Sequence, residues 1–168
     1  FEIIDEHSDL AAVIARLNSV FVKPISEGSS VGMAVASDAE SLGVALIHAQ
    51  KSGVPVMAEQ FVRGDEYTVA ILRGRSLPPI KITPESAFYD YQAKYVSGTT
   101  RFECPAPLSV DETQALQALA YAAFVASGAE VWGRVDMIRG ADGWQLLEVN
   151  TVPGMTEHSL VPKAAEAA

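Results

Sequence analysis

The chain has 168 residues, 49% of them hydrophobic and 20% charged, with a formal net charge of −9. That balance suits one compact domain or two small lobes and excludes a disordered chain, while the acidic excess argues against a nucleic-acid surface, which needs to be basic. No apolar run is long enough to span a bilayer, and Cys104 as the single cysteine leaves no internal disulfide, which fits a reducing, cytoplasmic setting.

Phe1-Glu2-Ile3-Ile4 opens the chain as a strand without an initiator methionine, as expected of an excised or processed piece of a longer protein. Ser8-Asp9 predicts a helix cap, with Leu10–Leu17 the short helix it starts. Val20-Phe21-Val22 reads as a short buried strand that ends on Lys23-Pro24. The next stretch, Glu27-Gly28-Ser29-Ser30-Val31-Gly32, offers backbone N–H groups of the kind that cradle phosphate, with Lys23 as a nearby point charge. It lacks a Walker A ending, and on its own reads better as a plain surface hairpin turn. Ser37 and Glu40 have the spacing of a capping box for a helix running to about Ser52, with Gly53 as its stop.

Residues 54–61 and 67–72 predict strands, with Glu59 and Glu66 flanking the turn at Arg63-Gly64-Asp65. At a hinge between lobes, Glu59 and nearby backbone would read an adenine edge and Glu66 would accept ribose hydroxyls. Two exposed turn glutamates are the alternative. Residues 77–82 predict an edge strand, because Pro78-Pro79 withhold two N–H donors. Residues 88–100 hold Phe88, Tyr89, Tyr91, Lys94 and Tyr95 and fit neither helical nor strand periodicity. Such a loop is a lid, with Lys94 reaching a terminal phosphate and Tyr95 closing over a substrate, or a plain loop pinned by its aromatics. Cys104-Pro105-Ala106-Pro107 reads as an extended connector, with Cys104 as packing. Ser109 and Glu112 form a second capping-box pattern, for a helix over 110–127 whose core stripe is Leu116, Leu119, Ala120, Ala123 and Phe124 and whose stop is Gly128.

The stretch from Trp132 to Ser159 carries the chemistry. Two strand patterns flank an Ala-Asp-Gly turn. Alternation predicts one apolar face of Val135, Met137, Leu147 and Val149, and an opposite face of Arg134, Asp136, Glu148 and Asn150. Asp and Asn are poor strand residues, so their clustering beside Glu148 on one face calls for a reason. Two carboxylates and an amide oxygen make a hard, all-oxygen set suited to magnesium or manganese, an ion that commonly shares its ligands with nucleotide phosphates. The adjacent Arg134 suits developing negative charge. A solvated polar face with incidental ion pairs is the plainer alternative.

Four motifs occur in order: Phe-Val-Lys-Pro-x-x-Glu-Gly-Ser-Ser-Val-Gly from Phe21, Phe-Tyr-Asp-Tyr-x-Ala-Lys-Tyr from Phe88, Trp-Gly-Arg-Val-Asp from Trp132, and Leu-Glu-Val-Asn-Thr-x-Pro-Gly-Met-Thr-x-His-Ser-Leu-Val-Pro from Leu147. Together they resemble the D-alanine–D-alanine ligases, bacterial enzymes of the ATP-grasp superfamily, over essentially the whole chain from Phe21. The resemblance implies an α/β (α+β) ATP-grasp fold with nucleotide between two lobes, a small one at 1–66 and a large one at 67–168. It implies ATP-dependent joining of two D-alanines through an acyl phosphate, for peptidoglycan precursors, and a homodimer in the intact protein.

It also implies roles. Lys23 and Lys94 would bind ATP phosphates, with Ser29 and Ser30 in a lid loop. Glu59, Phe61, Val62 and Glu66 would hold adenosine. Asp136, Glu148 and Asn150 would hold two Mg²⁺ (or Mn²⁺) ions. Arg134 and the Gly154 N–H would stabilise the oxyanion. Ser159 and Leu160 would position the second D-alanine, and Tyr95 would favour D-alanine over D-lactate there. A ligase taking D-serine or D-lactate second, or a nucleotide-binding piece without turnover, are the alternatives. Ile25, Val152 and Glu157 depart from the family pattern, and Glu157 adds charge near the second-substrate site. The family's region for the first D-alanine, and a further ATP-binding lysine, would precede Phe1.

Overall fold

The structure, a computed structural model, describes residues 1–26, 32–83 and 100–168. Ser29, Ser30, Lys94 and Tyr95 lie outside the described residues. The described chain divides into two compact units, residues 1–62 and residues 63–83 with 100–168. The division falls before Glu66, where the sequence reading places it, because Asp65 and Glu66 are already paired with Arg139 and Ile138 in the second unit's sheet.

The first unit holds β1 (Glu2–Ile4), α1 (Leu10–Leu17), β2 (Val20–Pro24), β3 (Ala34–Ala36), α2 (Ala39–Gln50) and β4 (Val56–Gln60). Its antiparallel sheet runs β1-β4-β2-β3. Alternate residues of β2, and Val56 and Ala58 of β4, are buried, so Val20, Val22, Val56 and Ala58 meet Val13 of α1 and Leu42, Ala45, Leu46 and Ala49 of α2. The same alternation puts Phe21, Lys23, Met57 and Glu59 on the opposite face.

Asp9 caps α1, accepting the Ala12 N–H at 3.0 Å. The cap of α2 lies one residue beyond the expected Ser37. The Asp38 carboxylate accepts the Ser41 N–H at 2.8 Å, and Ser41 Oγ accepts the Asp38 N–H at 3.3 Å. An anionic cap also complements the positive end of the helix dipole, which favours Asp38 over the neutral serine.

The second unit holds β5 (Asp65–Leu72), β6 (Arg75–Ser76), β7 (Ile80–Thr83), β8 (Arg101–Glu103), α3 (Val110–Ala126), β9 (Trp132–Gly140), β10 (Gly143–Asn150) and α4 (Leu160–Glu166). Its sheet runs β10-β9-β5-β7-β8, with β6 paired to β5, and every pairing is antiparallel. β7 is therefore not an edge strand: its prolines precede it, and β8, for which the sequence gives no sign, covers its outer side. Tyr67, Val69, Ile71, Val135 and Met137 pack against Leu116, Ala120 and Phe124 of α3. Burying each of these larger side chains contributes about 1.5–3 kcal/mol. The other side of β5 presents Thr68 and Ala70, both buried, and α4 packs against this strand.

Glu112 ties α3 to the sheet. It completes the capping box with Ser109 and also receives Arg139 of β9, whose guanidinium stacks 5.4 Å from the Trp144 ring. The Ser109 N–H first, then the Ser109 hydroxyl and Arg139, hold the Glu112 carboxyl below the usual glutamate range. A lowered folded value stabilises above the unfolded pKa of about 4.3 and is lost as pH falls through the folded value. Glu112→Gln is therefore expected to be less stable than the parent at pH 7, with the gap closing as pH drops below about 4.3, read by urea denaturation at both pH values. Gly64 sits so close to β9 that a Cβ would lie 2.1 Å from the Arg139 carbonyl oxygen. Gly64→Ala should then lower stability by about 1–3 kcal/mol or more, measured the same way.

Candidate functional site

On β9, Arg134 and Asp136 point to the face away from α3, since Val135 and Met137 point into the core. A regular partner strand would carry Trp144, Leu146, Glu148 and Asn150 on one common face. The register shift between Leu146 and Glu148 prevents this: Leu146 opposes Met137, but Glu148 opposes Asp136 and Asn150 opposes Arg134. Leu147 is the unpaired extra residue of a β-bulge. It does not join Val135, Met137 and Val149 on the core face as alternation predicts, and it is 39% exposed. The bulge leaves Trp144 edge-on to Tyr67, with centroids 5.0 Å apart, while moving Glu148 and Asn150 to the face of Asp136.

The resulting cluster is tightly bonded. Arg134 donates to both Asp136 oxygens, Nε to Oδ1 at 2.8 Å and Nη2 to Oδ2 at 2.6 Å. Asn150 Nδ2 donates to Asp136 Oδ2 and to Glu148 Oε1, each at 3.0 Å. Thr68 of β5, directly opposite Asp136, donates to Oδ1 at 2.6 Å. The side chains of Arg134 and Asp136 are 19% and 16% exposed, so salt screens this pair less than a surface one. The donor set fits a hard divalent cation. The Asn150 amide reaches one oxygen of each carboxylate, so turning it over would put a third hard oxygen beside both, as a ligand for a cation held among them. Thr68 is a member that the sequence reading misses. Its signal is a polar residue at an inward position in the otherwise apolar run Thr68 to Leu72 of β5.

The other expected residues fall in separate places. Lys23 and Glu59 are on adjacent strands of the first unit and form an ion pair at 2.7 Å. On the same face, Phe61 stacks on Phe21 with centroids 6.4 Å apart, and its N–H donates to the Ser19 carbonyl. Val62, half-buried, ends that unit. Glu66 is in the second unit, on the Thr68 face of β5. In the segment after β10, a Cβ on Gly154 would lie 2.9 Å from Ser159 Oγ, so a larger residue there would displace the Ser159 hydroxyl. Ser159 Oγ accepts the Thr156 N–H at 3.0 Å instead of capping α4, and Leu160 is buried. Burial pushes the Cys104 thiol up, away from a reactive thiolate, and its Sγ lies 3.9 Å from the Lys163 carbonyl oxygen.

Residues 5–168 match the family model for the D-ala D-ala ligase C-terminus. A D-alanine–D-alanine ligase of Alcanivorax borkumensis is 54% identical over 149 residues, covering 88% of this chain and 48% of that protein. A crystal structure of the D-alanine–D-alanine ligase of Bacillus anthracis superposes with a TM-score of 0.82 at 33% identity, over 96% of this chain and 53% of that one. The same enzyme complexed with ATP gives 0.81 at 28% identity, over 99% and 53%. The VanG D-Ala:D-Ser ligase of Enterococcus faecalis gives 0.81 at 27%, over 98% and 50%. The chain spans about half the length of the relatives it matches. With mixed helices and antiparallel sheets of the ATP-grasp fold, the chain belongs to the D-alanine–D-alanine ligase C-terminal family.

Proposed function

We propose that this chain is the nucleotide- and metal-binding half of a cytoplasmic, ATP-dependent ligase that joins two D-alanines for peptidoglycan precursors, the intact protein being a homodimer. The observation that carries this reading is the oxygen face assembled by the bulge, with the Asn150 amide within hydrogen-bond reach of both Asp136 and Glu148, beside Arg134. These three residues would hold two Mg²⁺ or Mn²⁺ ions. Bound there, divalent ions supply charge neutralisation to the transferring phosphoryl group.

The chain's own residues orient and stabilise. Lys23, with Lys94, Ser29 and Ser30, binds ATP phosphates, and Lys23 leaves Glu59 to do so. Glu59, Phe61, Val62 and Glu66 hold adenosine. Ser159 and Leu160 position the second D-alanine, whose amine attacks the acyl phosphate of the first as phosphate departs, and Tyr95 closes over it. Arg134 and the Gly154 N–H stabilise the oxyanion of that step, an effect of about 3 kcal/mol for a well-aimed donor. A D-alanine–D-serine ligase is the second reading, kept open because the chain superposes on the Enterococcus faecalis enzyme as well as on the ATP complex of the Bacillus anthracis one.

Calorimetric titration with ATP, with and without Mg²⁺, tests the binding half. Metal-dependent binding is expected, and Asp136→Asn and Glu148→Gln should each weaken Mg·ATP by about tenfold or more. Unchanged affinity in both variants would sink the metal assignment. Phosphate release and product analysis with D-alanine and D-serine on the intact protein separate the two ligase readings. The amide between the carboxylates gives an independent check. Asn150→Asp removes a shared donor and should cost about 1–3 kcal/mol without metal. Mg²⁺ should recover that loss in a thermal melt, and a loss that Mg²⁺ does not touch would count against a cation at this point.

A further inference from the structure

Among the described residues, Thr68 is the one polar side chain classed with the core, at 1% exposure. It opposes Asp136 on β9 and Ile80 on β7, so both neighbouring strands wall it in. Its hydroxyl has one proton and two acceptors in range, Asp136 Oδ1 at 2.6 Å and the Val135 carbonyl at 3.2 Å. The shorter bond, to an ionised oxygen, takes the proton. A β-branched side chain in a strand has a restricted χ1, so this donor does not wander.

The consequence is an inequality between the two Asp136 oxygens. Oδ1 is held by Thr68 and by Arg134 Nε, on the side of β5. Oδ2 meets Arg134 Nη2 and the Asn150 amide that also touches Glu148. We infer that Thr68 is a positioning residue, whose hydroxyl fixes the rotation of the Asp136 carboxylate so that Oδ2 faces Glu148 and Asn150 and is presented to a divalent cation. This rests on the metal reading above. Thr68 does not touch the cation, because its hydroxyl is spent on Oδ1.

The test is Mn²⁺ titration of the chain alone, followed by loss of the free-ion EPR signal, with thermal melts in the absence of metal. Thr68→Val keeps the branched shape and removes the donor, and is expected to weaken Mn²⁺ by about tenfold or more, as removal of an outer-sphere partner commonly does. Thr68→Ser keeps the hydroxyl and should stay within about threefold of the parent. Thr68→Cys, with a weak donor, carries the valine expectation should that variant not fold. A valine variant that melts lower yet binds Mn²⁺ like the parent, while Asp136→Asn binds poorly, overturns the inference and leaves the metal site standing. Parent-like Mn²⁺ binding by Asp136→Asn removes the metal site and the inference with it.

Discussion

The Asp136 carboxylate accepts four hydrogen bonds, from donors on three adjacent strands, and the second unit is arranged around that saturated group. A carboxylate offers about four lone-pair positions, so none is left for solvent to compete for, and the group cannot turn without breaking a bond on one side. β5 contributes Thr68, β9 the arginine, and β10 the amide. Each donor arrives by strand register and not through a loop, so the site inherits the stiffness of the sheet. The core behind it, Val135 and Met137 against α3, fixes the strand that carries Asp136 from the other side.

Register alone does not assemble this face. Side chains alternate strictly along a strand, so one sequence cannot place both Trp144 and Asn150 on opposite faces at even spacing without a defect. The bulge at Leu147 is that defect. It lets β10 serve the core at its turn end, through Trp144 on Tyr67, and the polar face at its other end, through Glu148 and Asn150. The exposed Leu147 side chain is what the arrangement costs, and β10 tolerates it because it is the outermost strand of the sheet.

Much of this was legible from local chemistry. Ser109 and Glu112 announce α3 because a capping box needs nothing beyond its own four residues, and the hairpin follows from Ala-Asp-Gly between two alternating runs. The reading slips where the decisive partner is distant. Whether Pro78-Pro79 mark an edge depends on β8, some twenty residues further on. The face of Glu148 and Asn150 is read correctly, but only by counting back from the polar residues, and the same count misplaces Leu147 because a bulge leaves no local mark. Thr68 is invisible as a donor to Asp136, since 68 residues separate the two. Ser37 in place of Asp38 is a smaller slip of the same kind, since adjacent serine and aspartate both satisfy the cap pattern until the backbone chooses.

Each unit also keeps a cation paired with a carboxylate on the sheet face opposite its long helix, Lys23 with Glu59 opposite α2 and Arg134 with Asp136 opposite α3. All four side chains are between 16% and 24% exposed. A half-buried charge left alone is expensive, and removing one partner of such a pair costs more than the pair itself contributes. Pairing each charge on its own sheet keeps all four compensated without help from outside the unit.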